Sequence, residues 1–182
     1  MFKHILLPTD GSSLSEVAIQ NGIKLAKSIN ARVTGFFVLP EFRMVTYRPE
    51  MLSETKAQYA EASRARAKQY LEVIEKAARD AGVTCETVSA TGDQPHKAII
   101  DAAQDRGCDL IMMASHGRRG VRSILLGSET LKVLTHSKIP VLVCRERRRP
   151  RSRVLPGRRP QPAVERRART DRRLLTLGPD RE

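Results

Sequence analysis

The stretch ASHGRRGVRSILLGSET, residues 114–130, places Gly117, Gly120 and Gly127 beside Arg118, Arg119 and Arg122. Glycine has no Cβ to keep a ligand away from the main chain. Gly127 followed by Ser128 reads as the opening of a helix, where unpaired N–H groups and the helix dipole favour negative charge. Gly117 and Gly120 let the preceding loop fold over, and the arginines add positive potential. The chemistry these residues could do is phosphate capture. The competing reading is a long surface connection, with Gly127 as a turn residue and the arginines solvated. A second short stretch, PTDGSS at 8–13, carries Asp10. An acid there can accept hydrogen bonds from ribose hydroxyls, or it can close an Asx-turn on Ser12 or Ser13. Neither G-x-x-x-x-G-K-[ST] nor G-x-G-x-x-G after the first strand occurs, which argues against a Walker-type kinase and a dinucleotide dehydrogenase.

The elements that must position these loops alternate. FKHILLP is an apolar run ended by the turn signal PTDG, and suits a buried strand. Ser13 and Glu16 form a capping box for a helix over 13–30. ARVTGFFVLP, rich in β-branched and aromatic residues, is a second strand, and residues 41–50 read as an irregular loop. Apolar spacing over 51–81 predicts one long amphipathic helix closed by Gly82. VTCETVSA is a third strand. Asp93 can cap a helix running to about Arg106, with Pro95 tolerated in its first turn, and Gly107 can stop it. CDLIMMA is a fourth strand, Ser128 can cap a helix to about His136, and IPVLVC is a fifth strand. Strands alternating with helices call for parallel β-α-β units with right-handed crossovers and helices on both faces of the sheet. Ligands of such sheets bind at the carboxyl ends of the strands, near the point where strand order reverses. PTDGSS and the glycine loop both fall there.

Charge divides the chain of 182 residues. Residues 145–182 hold fourteen Arg, no Lys and five acids, and so carry +9 of the net +13; residues 1–144 keep 19 basic and 15 acidic residues. With Pro150, Pro156, Pro160, Pro162 and Pro179 in the same segment, the tail 146–182 is expected to be disordered. Residues 1–145 are then one α/β domain. No apolar run is long enough to span a membrane, and the amino terminus lacks the features of a secretory signal. A cytoplasmic location is expected. Cys85, Cys108 and Cys144 are scattered singly, which suits three ordinary thiols rather than a disulfide framework or a zinc site.

ILLPTDGS, CDLIMMASHGRRG and LLGSETLKVLTHSKIPVLV occur in this order and together resemble the universal stress protein family over residues 1 to about 145. The resemblance implies a Rossmann-like open five-stranded parallel sheet of order 3-2-1-4-5 with helices on both faces. In the nucleotide-binding branch of that family the signature is glycine, two residues, glycine, nine residues, glycine, then Ser or Thr. Gly117, Gly127 and Ser128 fit it, while Ala114 stands in place of the first glycine. If that position touches the sugar through bare backbone, the methyl crowds it; if it only turns the chain at negative φ, alanine costs little. The resemblance further implies ATP, ADP or AMP as ligand, with Asp10 on the ribose and main-chain groups of Val38 on the adenine. Gly117, Gly127, Ser128 and Glu129 would line the phosphates, with His116, Arg118 and Gly120 in the same loop. Pro8, Thr9 and Met113 would form walls.

His4, His96 and His136 sit on separate elements and form no ligand set, so no metal site is assigned to side chains, although Mg2+ could accompany the phosphates. Glu129 is the one acid near the glycine loop, so at most slow hydrolysis is expected. The family likeness points to a dimeric signalling or protective protein of the stress response, paired through the strand from Ile139 to Cys144. The alternative is a dimeric interaction module that binds no nucleotide, built on the same exposed edge. The Arg-rich tail could contact nucleic acid or acidic partners through counterion release, though it has no aromatic residue to stack on bases.

Overall fold

The computed structural model describes residues 1–42, 49–117 and 126–145, with side chains left undescribed for 49–55. Arg118, Gly120 and the tail 146–182 therefore lie outside the described residues. Nine elements follow one another: β1 (His4–Thr9), α1 (Ser13–Ile29), β2 (Arg32–Leu39), α2 (Pro49–Ala81), β3 (Cys85–Thr91), α3 (Pro95–Asp105), β4 (Leu110–Ala114), α4 (Ser128–His136) and β5 (Val141–Cys144). The sheet is parallel throughout, as the alternation of strands and helices predicts, and its order is β3-β2-β1-β4-β5, as the family resemblance implies. The chain leaves β1 toward one edge and returns after β3 to the other side of β1, so strand order reverses between β1 and β4.

Alternation along the strands divides the core into two layers. Ile5, Leu7, Val33, Phe37, Leu110 and Met112 pack against α1 and α2. Leu6, Phe36, Ile111 and Met113 face the other way, onto Ile99, Ile100 and Ala103 of α3 and Val133 of α4. β1 is buried over its whole length, which is why it reads as an unbroken apolar run. Each fully buried Leu, Ile or Phe contributes about 1.5–3 kcal/mol relative to exposure.

Three helix caps lie one residue from expectation, and α2 begins at Pro49, two residues before the expected 51 and inside the stretch 41–50 read as a loop, of which 43–48 lie outside the described residues. α1 is capped by Ser12, whose hydroxyl accepts from Ser15 N–H, so Ser13 is already inside the helix. The cause lies just before it. Asp10 Oδ1 accepts from Ser12 N–H at 3.0 Å and from Ser12 Oγ at 2.6 Å, holding Ser12 in extended backbone, where a cap belongs. α3 begins at Pro95 behind a Gln94 cap rather than at Asp93; proline's fixed φ and missing N–H suit that first position. α4 is capped by Gly127, with Ser128 as its first residue.

Candidate functional site

β1 and β4 stop pairing after Leu6↔Ile111, yet β1 continues to Thr9 and β4 to Ala114. The two strands therefore part at their carboxyl ends. On the neighbouring side, β1 pairs with β2 as far as Thr9↔Phe37, whereas β2 and β3 pair on through Leu39↔Thr91. Val38 is thus left with an edge facing the crevice that no strand among the described residues covers. Pro8 and Thr9 close the end of β1, both buried.

The turn after β1 is a set of local hydrogen bonds. Gly11 has φ +72°, a left-handed conformation that disfavours any Cβ, and a Cβ there would also land on the Tyr70 ring. Gly11 N–H donates to Thr9 Oγ1 at 3.0 Å. Ser15 Oγ donates to Ser12 C=O at 2.7 Å, so across the 3.0 Å contact between Thr9 and Ser15 hydroxyls it is Thr9 that donates. Asp10 thus makes the Asx-turn through one oxygen. Its other oxygen, Oδ2, lies against Gly117, where an added Cβ would collide with it. The acid after strand one and the glycine after strand four are therefore in contact.

Gly127 joins the same floor. Its N–H donates to Ser115 C=O at 2.7 Å, and an added Cβ would come within 3.1 Å of both Cα and Cβ of His116. Its φ of −71° is open to any residue. Space rather than backbone conformation favours glycine here, since His116 would have to give by a few tenths of an ångström to admit a Cβ. Since the Gly127 amide closes the loop, the first-turn donors of α4 that have no acceptor within the helix are those of Ser128, Glu129 and Thr130. Thr130 Oγ1 donates to Ala114 C=O at 3.0 Å, tying α4 to the end of β4. Ser115 Oγ and His116 Nδ1 are 3.1 Å apart.

Ala114 answers the question its sequence position raises. It has no positive φ, is 7% exposed, and sets its methyl among Leu14, Ala18 and Cys144 on the α1 side. Met113, the wall residue expected beside it, points to the opposite layer.

The Glu129 side chain turns away from the glycine loop. Its Oε2 accepts from His96 N–H at 3.0 Å and lies 3.1 Å from His96 Nδ1, while Oε1 accepts from Lys132 Nζ at 2.9 Å. Burial pushes its carboxyl up, but the hydrogen bonds from Lys132 and His96 outweigh this and hold it below the usual range. Sequence reasoning missed this arrangement, because the packing of α3 on α4 that creates it is non-local.

A cavity of about 550 Å3 lies at the opposite end of the sheet, lined by Lys3, Lys27, Arg32 and Asp109 among others. It faces the amino ends of the strands, away from the crevice. No helix among the described residues is long and apolar enough to cross a membrane.

The family model described as the universal stress protein family matches residues 1–145. Universal stress protein MJ0577 of Methanocaldococcus jannaschii is 31% identical over 163 residues, covering 81% of this chain and 97% of the relative. The solved structure of MJ0577 is similar with a TM-score of 0.67 at 32% identity, over 81% of this chain and 99% of that one. A universal stress protein solved in complex with cAMP shares the fold, with a TM-score of 0.59 at 23% identity over 79% and 97% of the two chains. A family protein from Arabidopsis thaliana solved with AMP bound also shares it, with a TM-score of 0.55 at 18% identity over 78% and 90%. By the extent of these matches, the chain belongs to the universal stress protein family.

Proposed function

We propose that the chain binds an adenine nucleotide in the crevice where β1 and β4 part, and serves in the stress response as a cytoplasmic, dimeric signalling or protective protein. The observation that carries this reading is the contact of Asp10 with Gly117 beside the Gly127 start of α4. It brings a ribose-seeking carboxylate and a phosphate-seeking helix start into one crevice at the strand-order reversal. The methyl of Ala114 is packed into the core and leaves the crevice clear. Asp10 would receive ribose hydroxyls, the open edge of Val38 would meet the adenine, and the amides of Ser128 and Glu129 would receive phosphate oxygens. Gly117 and Gly127 would contribute by shape. Pro8, Thr9 and Met113 would form or back the walls, and His116 would stand on the phosphate side, with Arg118 and Gly120 following it in the sequence. The cAMP and AMP complexes of the two distant relatives agree with this ligand class. ATP, ADP and AMP are all candidates, and Mg2+ would ride on the phosphates.

Slow turnover at most fits the geometry. The Glu129 carboxylate is committed to His96 and Lys132, which leaves it unsuited to positioning an attacking water. For dimerisation, the edge strand β5 exposes Leu142, and α4 beside it exposes Leu131 and Leu134, an apolar surface of the kind that pairs. The same surface would serve a nucleotide-free interaction module.

Mass spectrometry of small molecules released from the purified, denatured protein tests the reading, together with calorimetric titration by AMP, ADP, ATP and cAMP. One adenine nucleotide per chain is expected. A folded protein that gives no saturable heat with any of them overturns it in favour of the interaction module. Deleting 146–182 and comparing polyanion binding at two salt concentrations tests the tail.

A further inference from the structure

Two histidines that are far apart in sequence meet on the surface formed by α3 and α4. His96 stands in the first turn of α3 and His136 ends α4, and their ring centroids are 6.0 Å apart. Glu129 Oε2 lies 3.1 Å from His96 Nδ1 and also accepts the His96 N–H at 3.0 Å. An ionised carboxylate only accepts hydrogen bonds, so Nδ1 carries the proton and the neutral ring keeps its lone pair on Nε2. A carboxylate that fixes the tautomer and direction of an imidazole in this way is the usual outer support of a metal-binding histidine.

We propose that His96 and His136 form a two-histidine site for a divalent transition ion of the Zn2+, Ni2+ or Cu2+ class, oriented by Glu129. The spacing fits. With metal–nitrogen bonds of about 2.0–2.1 Å, each ring centroid lies roughly 3.2 Å from the ion. Two such rings are about 5 Å apart at a tetrahedral angle and about 6.4 Å apart in line, and the observed 6.0 Å falls between. Nitrogen donors of this kind select borderline transition ions over Mg2+ and Ca2+, which prefer oxygen. Among the described residues no group of three or more potential ligands converges, so water completes the coordination and the site is open and exchangeable. The His96 side chain is 17% exposed and held by its carboxylate; His136 is exposed. Lys132 holds the other Glu129 oxygen at 2.9 Å, which keeps that carboxylate from swinging round to become a ligand itself. Metal capture here needs no nucleotide.

The test is calorimetric titration of the full chain with Ni2+ alone, in the absence of nucleotide, alongside electron paramagnetic resonance of the Cu2+-loaded protein. One ion per chain and hyperfine coupling from two imidazole nitrogens are expected. H96A and H136A should each weaken Ni2+ binding at least tenfold, and E129Q about tenfold through loss of ring orientation. H116A, in the glycine loop, should leave it unchanged. Because His136 is exposed, H136A keeps the fold, which circular dichroism checks. Absence of saturable Ni2+ binding up to millimolar concentration, or binding that survives H136A in the folded protein, overturns the proposal.

Discussion

Replacing Gly117 by alanine separates the proposed crevice from the rest of the fold. The new Cβ would collide with Asp10 Oδ2 and sit 3.2 Å from its Cγ. That carboxylate cannot swing aside cheaply, because Oδ1 is held by Ser12 N–H at 3.0 Å and by Ser12 Oγ at 2.6 Å. Either those bonds break or the glycine loop moves off Asp10, and both outcomes disturb the crevice at the proposed ribose position. A hydrogen bond to a charged group is worth about 1.5–3 kcal/mol, so losing one from the sugar should raise the nucleotide Kd roughly 10- to 150-fold. Stability should hardly change. Gly117 is exposed and lacks a positive φ, so the glycine loop moves off Asp10 at less cost than the Ser12 bonds break, and a cost under about 1 kcal/mol is expected, a Tm shift of a few degrees at most. Calorimetric titration with AMP and ATP, beside thermal unfolding of the free protein, reads both quantities. A double-mutant cycle sharpens the result: if the collision with the carboxylate is the cause, G117A should add almost nothing in an Asp10→Ala background. Wild-type affinity in folded G117A, or fully additive losses in the double variant, would refute the placement of Asp10 and Gly117 in one binding wall.

Gly11→Ala should be far more damaging to stability, by about 2–5 kcal/mol in urea denaturation. The left-handed backbone at φ +72° and the collision with the Tyr70 ring both penalise it, and Tyr70→Ala should relieve the second cost alone. Burial, with Arg32 nearby, pushes the His4 imidazole below its ordinary value, so the unfolded chain binds the proton first as pH falls. Stability from His4 is then complete above about pH 6.5 and is lost as pH drops toward the lowered folded value; a His4→Gln variant should show a flatter stability profile across that window. Burial pushes the Cys108 thiol up to about 11, so at pH 8 a disulfide reagent should label Cys85 and Cys144 before Cys108, with Cys108 reacting only on unfolding.

The order of elements was legible because the strands other than β3 are compact apolar runs, β3 is rich in β-branched residues between turn signals, and each helix keeps its 3.6-residue rhythm; five parallel strands follow from that alternation, and their order from the family likeness. Boundaries were less so. β2 was expected over 31–40 and runs Arg32–Leu39, and β3 was expected over 83–90 and runs Cys85–Thr91, because pairing register rather than composition decides where a ladder ends. The caps at Ser12, Gln94 and Gly127 lay one residue from the expected 13, 93 and 128, since the Asp10 turn and Pro95 set the helix starts. The Asx-turn of Asp10 was anticipated, while its contact with Gly117 depends on two loops more than a hundred residues apart. Which way Ala114 points, and that Glu129 turns to His96, are set by the sheet's two faces and by the packing of α3 on α4. Neither can be read from spacing.

The orientation of Ala114 bears on how relatives of this chain are recognised. A search pattern that insists on glycine at that position would discard a protein whose methyl is absorbed by Leu14, Ala18 and Cys144. The discriminating information sits instead at 117, where one extra carbon meets the Asp10 carboxylate, and at 127, where it presses on His116.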